Sequence, residues 1–418
     1  MKAVDQVLQD VAERLKDNYP YGDPLYAGQM LKPPHEVARR AYEMALKINP
    51  NNHALDGGRA SSAMEKEAVA DLAAMIGWDT HLGHLCGGGT MANLEALWIA
   101  SQLHPGKPIV ASSQAHYTHQ RISGVLGIPF ETLPCDRLGR LDVPALERRL
   151  AAGGVGTVVA TLGTTATGAV DPLGAIVELR RRFDFRIHAD AAYGGYFLLA
   201  DNLAAETQRA FACMRDAASV VIDPHKHGLQ PYGCGCVIFR DPAVGRLYRH
   251  DSPYTYYTST EMHLGEIALE CSRPGAAAVA LWATHQLFPL VRGGEFAKGL
   301  EAGRAAALDL YERVRQDGRF VTGAAPALDI LVWAPRAPSV SEASNRAKRI
   351  FAEAASRHLH LALVSLPLHL LDVGPMQRDR DTLICLRSVL MKPEHRDWTG
   401  RIWQILDEAT TAAGVTRR

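Results

Sequence analysis

Lys226 is the residue with the clearest chemical potential in this sequence. It sits in Asp223-Pro224-His225-Lys226-His227-Gly228, directly after the apolar run Val220–Ile222. An amine desolvated at the end of a buried strand and crowded by cationic neighbours loses its proton more readily and becomes a nucleophile. Zinc held by His225 and His227 is the rival reading, although no clear third ligand accompanies them. A second place is Ile187-His188-Ala189-Asp190-Ala191-Ala192-Tyr193-Gly194-Gly195. Asp190 ends an apolar run, where a carboxylate is costly unless it is paired. Ala191 and Ala192 leave room there for something flat. The plainer alternative is that Asp190 caps the next helix. A third is Cys86-Gly87-Gly88-Gly89-Thr90-Met91-Ala92-Asn93, leading into Leu94–Ala100. Its glycines let the backbone approach a ligand, and a helix start offers free N–H groups and a positive dipole end. Thr90 adds a hydroxyl. The run matches neither the dinucleotide fingerprint nor the P-loop. The fourth is His116 in Ser112-Ser113-Gln114-Ala115-His116-Tyr117, just after Ile109–Ala111. A satisfied structural histidine is the alternative there.

Elements of a particular kind must position these four places. Each lies just after an apolar run: the predicted strands are Ile109–Ala111, Thr157–Leu162, Phe185–Ala189, Val220–Ile222 and Cys234–Phe239. Helix-length stretches separate most of them, which argues for an α/β domain with a mainly parallel sheet. Ligands of such sheets bind beyond the carboxyl ends of the strands. One helix is predicted from a capping-box spacing at Ser62 and Glu65, an apolar stripe of Met64, Ala68, Leu72 and Ile76, and a stop at Gly77. Past residue 291 the pattern reads helix, strand (Leu328–Val332), helix, strand (Leu383–Leu386), helix. The expected organisation is an N-terminal segment over 1–45, a large domain over 46–290 and a small C-terminal α/β domain over 291–418.

Composition narrows the function. The chain has 418 residues, 47% hydrophobic and 22% charged, which is ordinary for a globular protein. Lys plus Arg and Asp plus Glu are each 45, so no bulk electrostatic case exists for nucleic acid or an anionic membrane. The seven cysteines have irregular spacing and no CxxC, which fits a reduced cytoplasmic setting. Zinc at Cys234 and Cys236 lacks a second ligand pair at finger-like spacing. The N-terminal stretch carries no apolar signal core, and neither long uncharged run reads as a membrane span.

An anion cradle, a ring stacker, a buried carboxylate and a reactive amine together are what pyridoxal phosphate needs. In that reading Lys226 binds the cofactor covalently, Asp190 keeps the pyridine nitrogen protonated and the cradle holds the phosphate. With HADAAYGG, DPHKHG, GGGTMANLEAL, QAHYTH and TLGTTATGAVDP in view, the chain resembles the pyridoxal-phosphate-dependent amino acid decarboxylases of the group containing the aromatic amino acid, tyrosine and glutamate decarboxylases. The resemblance runs from about Tyr21 to Asp407. It implies an aspartate-aminotransferase-like fold (fold type I) and a homodimer with shared active sites, the N-terminal segment packing on the partner. It implies that His116 stacks on one ring face and Ala192 lies against the other. Gly89 and Thr90 would hold the phosphate with His225 nearby, and Thr164 would lie beside cofactor and substrate. Arg387 is similar to a late arginine near the active site, a tentative substrate contact. Tyr257 stands seven residues before Leu264-Gly265, the spacing of a loop tyrosine that donates the catalytic proton; Tyr254 and Tyr256 are reserves. Two departures bear on the substrate: His227 stands where the family often has Trp, and Met91 where it often has Glu. The expected reaction is decarboxylation of an L-amino acid to its amine. Other pyridoxal-phosphate reactions (an aldehyde-forming decarboxylase, a carbon–carbon or carbon–sulfur lyase, an aminotransferase) start from the same chemistry, and a non-catalytic protein of the same fold is a further alternative. The tyrosines and His227 suit an aromatic substrate, whereas Arg273 and Arg387 suit an acidic one.

Overall fold

The computed structural model describes residues 2–53, 56–249 and 263–417. Tyr254, Tyr256 and Tyr257 therefore lie outside the described residues. Seven strands form the larger sheet: β1 (Leu82–Cys86), β2 (Ile109–Ser112), β3 (Phe130–Leu133), β4 (Thr157–Thr161), β5 (Arg186–Asp190), β6 (Ser219–Ile222) and β7 (Gly235–Phe239). Their order is β1-β7-β6-β5-β4-β2-β3. The pairs from β6 to β3 are parallel, and β7 runs against both of its neighbours. Every residue of β2, β4, β6 and β7 is buried. That is the behaviour of strands covered on both faces, and it explains their unbroken Val/Ile runs. Two strands went unpredicted. β1 carries Gly83 and His84 within five residues, and the edge strand β3 (Phe-Glu-Thr-Leu) is only partly covered. Neither presents the apolar run that betrays its neighbours.

The helix Arg59–Ile76 corrects one expectation. It starts three residues before Ser62, with Gly58 at its N-cap and no side-chain cap. Glu65 is buried and serves as a hub instead. It accepts hydrogen bonds from Asn52 Nδ2 at 2.6 Å, Leu85 N at 2.9 Å and Arg273 Nη1 at 2.8 Å. The stop at Gly77 holds: its φ of 91° is left-handed, a conformation that glycine adopts without strain.

The second sheet contains β8 (Phe320–Thr322), β9 (Ile330–Pro335), β10 (Ala362–Pro367) and β11 (Thr382–Val389), in the order β10-β11-β9-β8. All its pairings are antiparallel. β8 has three residues, and β10 lies at the edge with two exposed positions, which is why only the two inner strands showed in the sequence. β9 alternates between two cores. Ile330, Val332 and Ala334 join the core that surrounds the large sheet, while Leu331 and Trp333 face a second core with the helices Glu295–Gln316 and His395–Ala412.

The reversed strand β7 matters to the ligand-binding edge because its first residue backs the Gly87–Gly89 turn. A Cβ on Gly235 would stand 2.5 Å from Gly88 Cα. Backbone cannot yield as a flexible side chain does. Gly235→Ala is expected to lower stability by about 2 kcal/mol and to weaken retention of any anion at the turn. Urea unfolding and cofactor titration of the variant check both; wild-type values in both would remove β7 as the support of the turn.

Candidate active site

The carboxyl ends of β1, β2, β4, β5 and β6 point to one edge of the sheet, and the segments that follow them line a cavity of about 530 Å³. The chain folds this way because parallel strands, each returning through a helix, deliver all their C-terminal residues to the same side. β1 supplies Gly87 to Thr90, β2 His116, β4 Gly163 and Thr165, β5 Asp190 and Ala192, and β6 Asp223, His225 and Lys226. The four places singled out in the sequence therefore meet.

Asp190 is buried at the last position of β5. Oδ2 accepts from His119 Nε2 at 2.8 Å, and Oδ1 accepts from Ala192 N at 3.2 Å. Burial acts to raise its pKa. The hydrogen bond from His119 and the charge of Lys226 outweigh it, so the carboxyl is held well below the usual range and stays ionised. Beneath it, His188 bridges Ser219 Oγ at 2.9 Å and Asn93 Oδ1 at 2.8 Å. Burial lowers the pKa of His188 to about 3, so the imidazole is neutral. The amide of Asn93 donates in turn to Gly89 O at 2.8 Å, which ties the glycine turn to the floor of the site. Asn93 and His119 have no sequence signal beyond helical spacing: His119 follows His116 by three residues, one turn along.

Lys226 Nζ lies 3.0 Å from Asp223 Oδ2 and remains partly open to the cavity. Asp223 precedes the lysine by three residues, an Asp-x-x-Lys spacing that brings the two side chains together. His225 donates Nδ1–H to Cys234 O at 2.8 Å, which turns Nε2 toward Asp223 at 3.5 Å. Burial lowers the pKa of His116 and of His225, so both rings are neutral near pH 7. His227 points elsewhere: it packs edge-on against Tyr193 and Phe197 and stands 3.3 Å from Asp329 Oδ2. Two residues apart in sequence, His225 and His227 thus do not share a metal position. Among the described residues no group of three His, Cys, Asp or Glu side chains is arranged to hold a metal ion.

Three expected positions fall differently. The hydroxyl of Thr164 is used within its own turn, bonding Thr167 Oγ1 and Ala169 N, both at 3.0 Å; Thr165 lines the cavity instead. Arg387 on β11 donates to Gly28 O and to Gln29 Oε1, both at 3.3 Å, and is absent from the cavity lining. Arg273 is bound to Glu65 and to Leu85 O, so it is committed to structure. Glu270, not anticipated, reaches the cavity and accepts from Gly87 N at 3.1 Å.

The donor set suits a flat ring with an anionic arm. The helix Gly89–Leu103 presents its N-terminus to the cavity, and a Cβ on Gly89 would stand 2.6 Å from Asp223 Oδ2, so the turn is closed to side chains. The ionised Asp190 offers a charge to a protonated ring nitrogen, and His116 and Ala192 line the same cavity. Lys226 offers an amine.

Comparison with known proteins bears on this arrangement. A family model described as the pyridoxal-dependent decarboxylase conserved domain matches residues 98–332. An L-tyrosine decarboxylase of Enterococcus faecium is 28% identical over 386 residues, covering 68% of this chain and 63% of that protein. A tyrosine decarboxylase of Levilactobacillus brevis is also 28% identical, with 62% of its length covered. The chain therefore spans less than two thirds of the length of these relatives. A probable L-aspartate decarboxylase of Halobacterium salinarum is 33% identical over 260 residues, covering 60% of this chain and 70% of that protein. Among solved structures, Oryza sativa TDC with PLP and tryptamine superposes with a TM-score of 0.84 at 18% identity, covering all of this chain and 89% of that one. Mouse CSAD superposes with a TM-score of 0.82 at 20% identity, covering 97% and 88%. These likenesses establish the fold, fold type I.

Lys226→Ala is expected to leave the fold intact and to abolish turnover, because the amine is partly exposed and its removal opens no core cavity. Pyridoxal phosphate mixed with the variant would show no protein-linked visible band in absorbance. A retained band with measurable turnover would take this lysine out of the reaction.

Proposed function

The chain belongs to the pyridoxal-dependent decarboxylase family, whose model covers more than half of it, and from that premise we propose that it is a pyridoxal-phosphate-dependent carboxy-lyase converting an L-amino acid to its amine. The observation that carries the reading is the Lys226 amine, held by Asp223 in the same cavity as the ionised Asp190. Bound pyridoxal phosphate supplies an electron sink for the pair left on Cα when carbon dioxide departs. The chain's own residues do the rest. Gly89, Thr90 and the helix start behind them hold the phosphate, with His225 beside them. His116 and Ala192 bracket the ring. Asp190 would keep the ring nitrogen protonated, and the Lys226 amine would hold the cofactor. Thr165 takes the place by the ring that was expected of Thr164, and Arg387, bonded to Gly28 and Gln29 outside the cavity lining, is given no substrate contact. Tyr257 is read as the acid that returns a proton to Cα; a phenol positioned over that carbon and sheltered from water suits the step.

We read the working form as a cytoplasmic homodimer. The helix Val4–Leu15 buries none of its residues, and Val4, Val7, Leu8, Val11 and Leu15 form one exposed apolar stripe, the kind of surface a second copy covers. All seven cysteines are free, in keeping with a reducing compartment. Among the described residues no helix is long and apolar enough to cross a membrane.

With Arg273 and Arg387 committed elsewhere, Lys226 is the one Lys or Arg of the cavity lining among the described residues, against Asp190, Asp223 and Glu270. An acidic side chain would be repelled by that lining, so the substrate read here is not acidic, and an aromatic one is read by likeness to the tyrosine decarboxylases. Carbon dioxide release across the common amino acids, with pyridoxal phosphate added, should give kcat/KM for tyrosine or another aromatic at least about tenfold above aspartate and glutamate, a difference of about 1.4 kcal/mol in transition-state binding. Preference for aspartate would overturn this reading; keto acid in place of amine would overturn the reaction.

Tyr257→Phe removes one hydroxyl. Amine formation is expected to fall by about 10²-fold or more, with aldehyde, hydrogen peroxide and ammonia appearing as oxygen attacks the unprotonated carbon. Amine and aldehyde assayed side by side decide the matter; an unchanged ratio at normal rate would assign the proton to another group.

A further inference from the structure

His119 is fully buried in the first turn of the helix Thr118–Leu126, with Nε2 2.8 Å from Asp190 Oδ2. Its other nitrogen, Nδ1, has no hydrogen-bond partner. A carboxylate is acceptor-only when ionised, so the proton between the two groups belongs to Nε2. The remaining donor to Asp190 is the backbone N–H of Ala192 on Oδ1. His119 is thus the one side chain among the described residues that hydrogen-bonds Asp190, and it bonds to no other group. A buried imidazole with one nitrogen left unsatisfied is retained at a cost, which singles out the bond it does make.

We propose that His119 is a positioning residue for the cofactor's ring nitrogen: its Nε2–H fixes Oδ2 so that the Asp190 carboxylate stays ionised and turned to the cavity. The proposal rests on the reading of Asp190 as the ring's partner. The oxygens of Asp190 each hold one fixed donor, and each keeps a free lone pair for a further N–H. Without His119, Oδ2 would be a buried anion with no fixed donor, free either to take up a proton or to rotate. The groups facing this pair are Lys226 from the β6 segment, His188 from β5 itself, and His116, with Asp223 beyond. Lys226 alone among them carries a fixed positive charge, so before a protonated ring nitrogen faces Asp190 the carboxylate depends on the His119 donor to stay ionised and in place.

Three variants of the full chain separate the possibilities: His119→Gln, whose amide nitrogen can stand near Nε2 and donate; His119→Met, of similar size with no donor; and Asp190→Ala. The readouts are the dissociation constant for pyridoxal phosphate and the pH titration of its visible band, with thermal unfolding to check the fold. H119M should bind the cofactor at least about tenfold more weakly, the effect of losing one hydrogen bond to a charged group, and its band should titrate at a shifted pH. H119Q should restore binding to within about threefold of wild type. A downfield imidazole N–H proton signal in the wild-type holoenzyme, absent from H119Q, gives the same answer should H119M not fold. Wild-type binding and titration in H119M, with D190A impaired, would overturn the role of His119 and leave Asp190 in place. D190A with an unchanged band would overturn the reading of Asp190 itself. H119Q failing as H119M does, with both folded, would show that donation to Asp190 is not what His119 provides.

Discussion

A carboxylate that keeps its charge inside a packed interior is the constraint around which this molecule is arranged. Asp190 stands at the end of a buried strand, where little water reaches it. Donors must therefore be brought to it by other parts of the chain. They come from the turn after β5 and from the helix after β2, while the segment after β6 adds the charge of Lys226. Because β2, β5 and β6 run parallel and end on one side, the sheet delivers these three segments to one point. The parallel topology, with its long crossovers, is thus tied to the electrostatics of one side chain.

The floor of the site repeats this logic with neutral groups. His188, Ser219, Asn93 and the Gly89 carbonyl form a chain of bonds in which each polar atom has a partner. Because burial keeps His188 uncharged, the chain fixes direction without adding charge. The glycine turn is thereby locked from below by Asn93 and from behind by the β7 backbone at Gly235. A rigid anion cradle needs no reorganisation when the ligand arrives.

Much of this was legible in the sequence, and the reasons differ by element. β2, β4, β6 and β7 were visible because strands buried on both faces carry apolar runs, whereas β5 showed through Phe185, Ile187 and Ala189. β1, β3, β8 and β10 were not, since short, edge or glycine-bearing strands present no run. Lys226, Asp190, His116, Gly89 and Thr90 were found by type and position after the strands, and they line one cavity. What escaped were the partners. His119 and Asn93 acquire meaning only from pairings across as many as 95 residues of chain, whereas Asp223 pairs locally with Lys226. Ser62 and Glu65 had the spacing of a cap, yet burial turned Glu65 into a counterion for Arg273. Local pattern is overridden where a buried charge must be met.

The two-sided packing of β9 has a mechanical consequence. Ile330, Val332 and Ala334 belong to the interior of the large sheet, while Leu331 and Trp333 belong to the small one. Tyr193, three residues past Asp190, donates to Asp329 at 2.5 Å, directly before that strand. Swinging the sheets apart would bare those side chains and break a buried bond. At roughly 25 cal/mol per Å² of apolar surface, wetting even a few such residues costs several kcal/mol. Such a body resists hinging and allows at most the small sliding of packed faces, so solutes must come and go by its periphery.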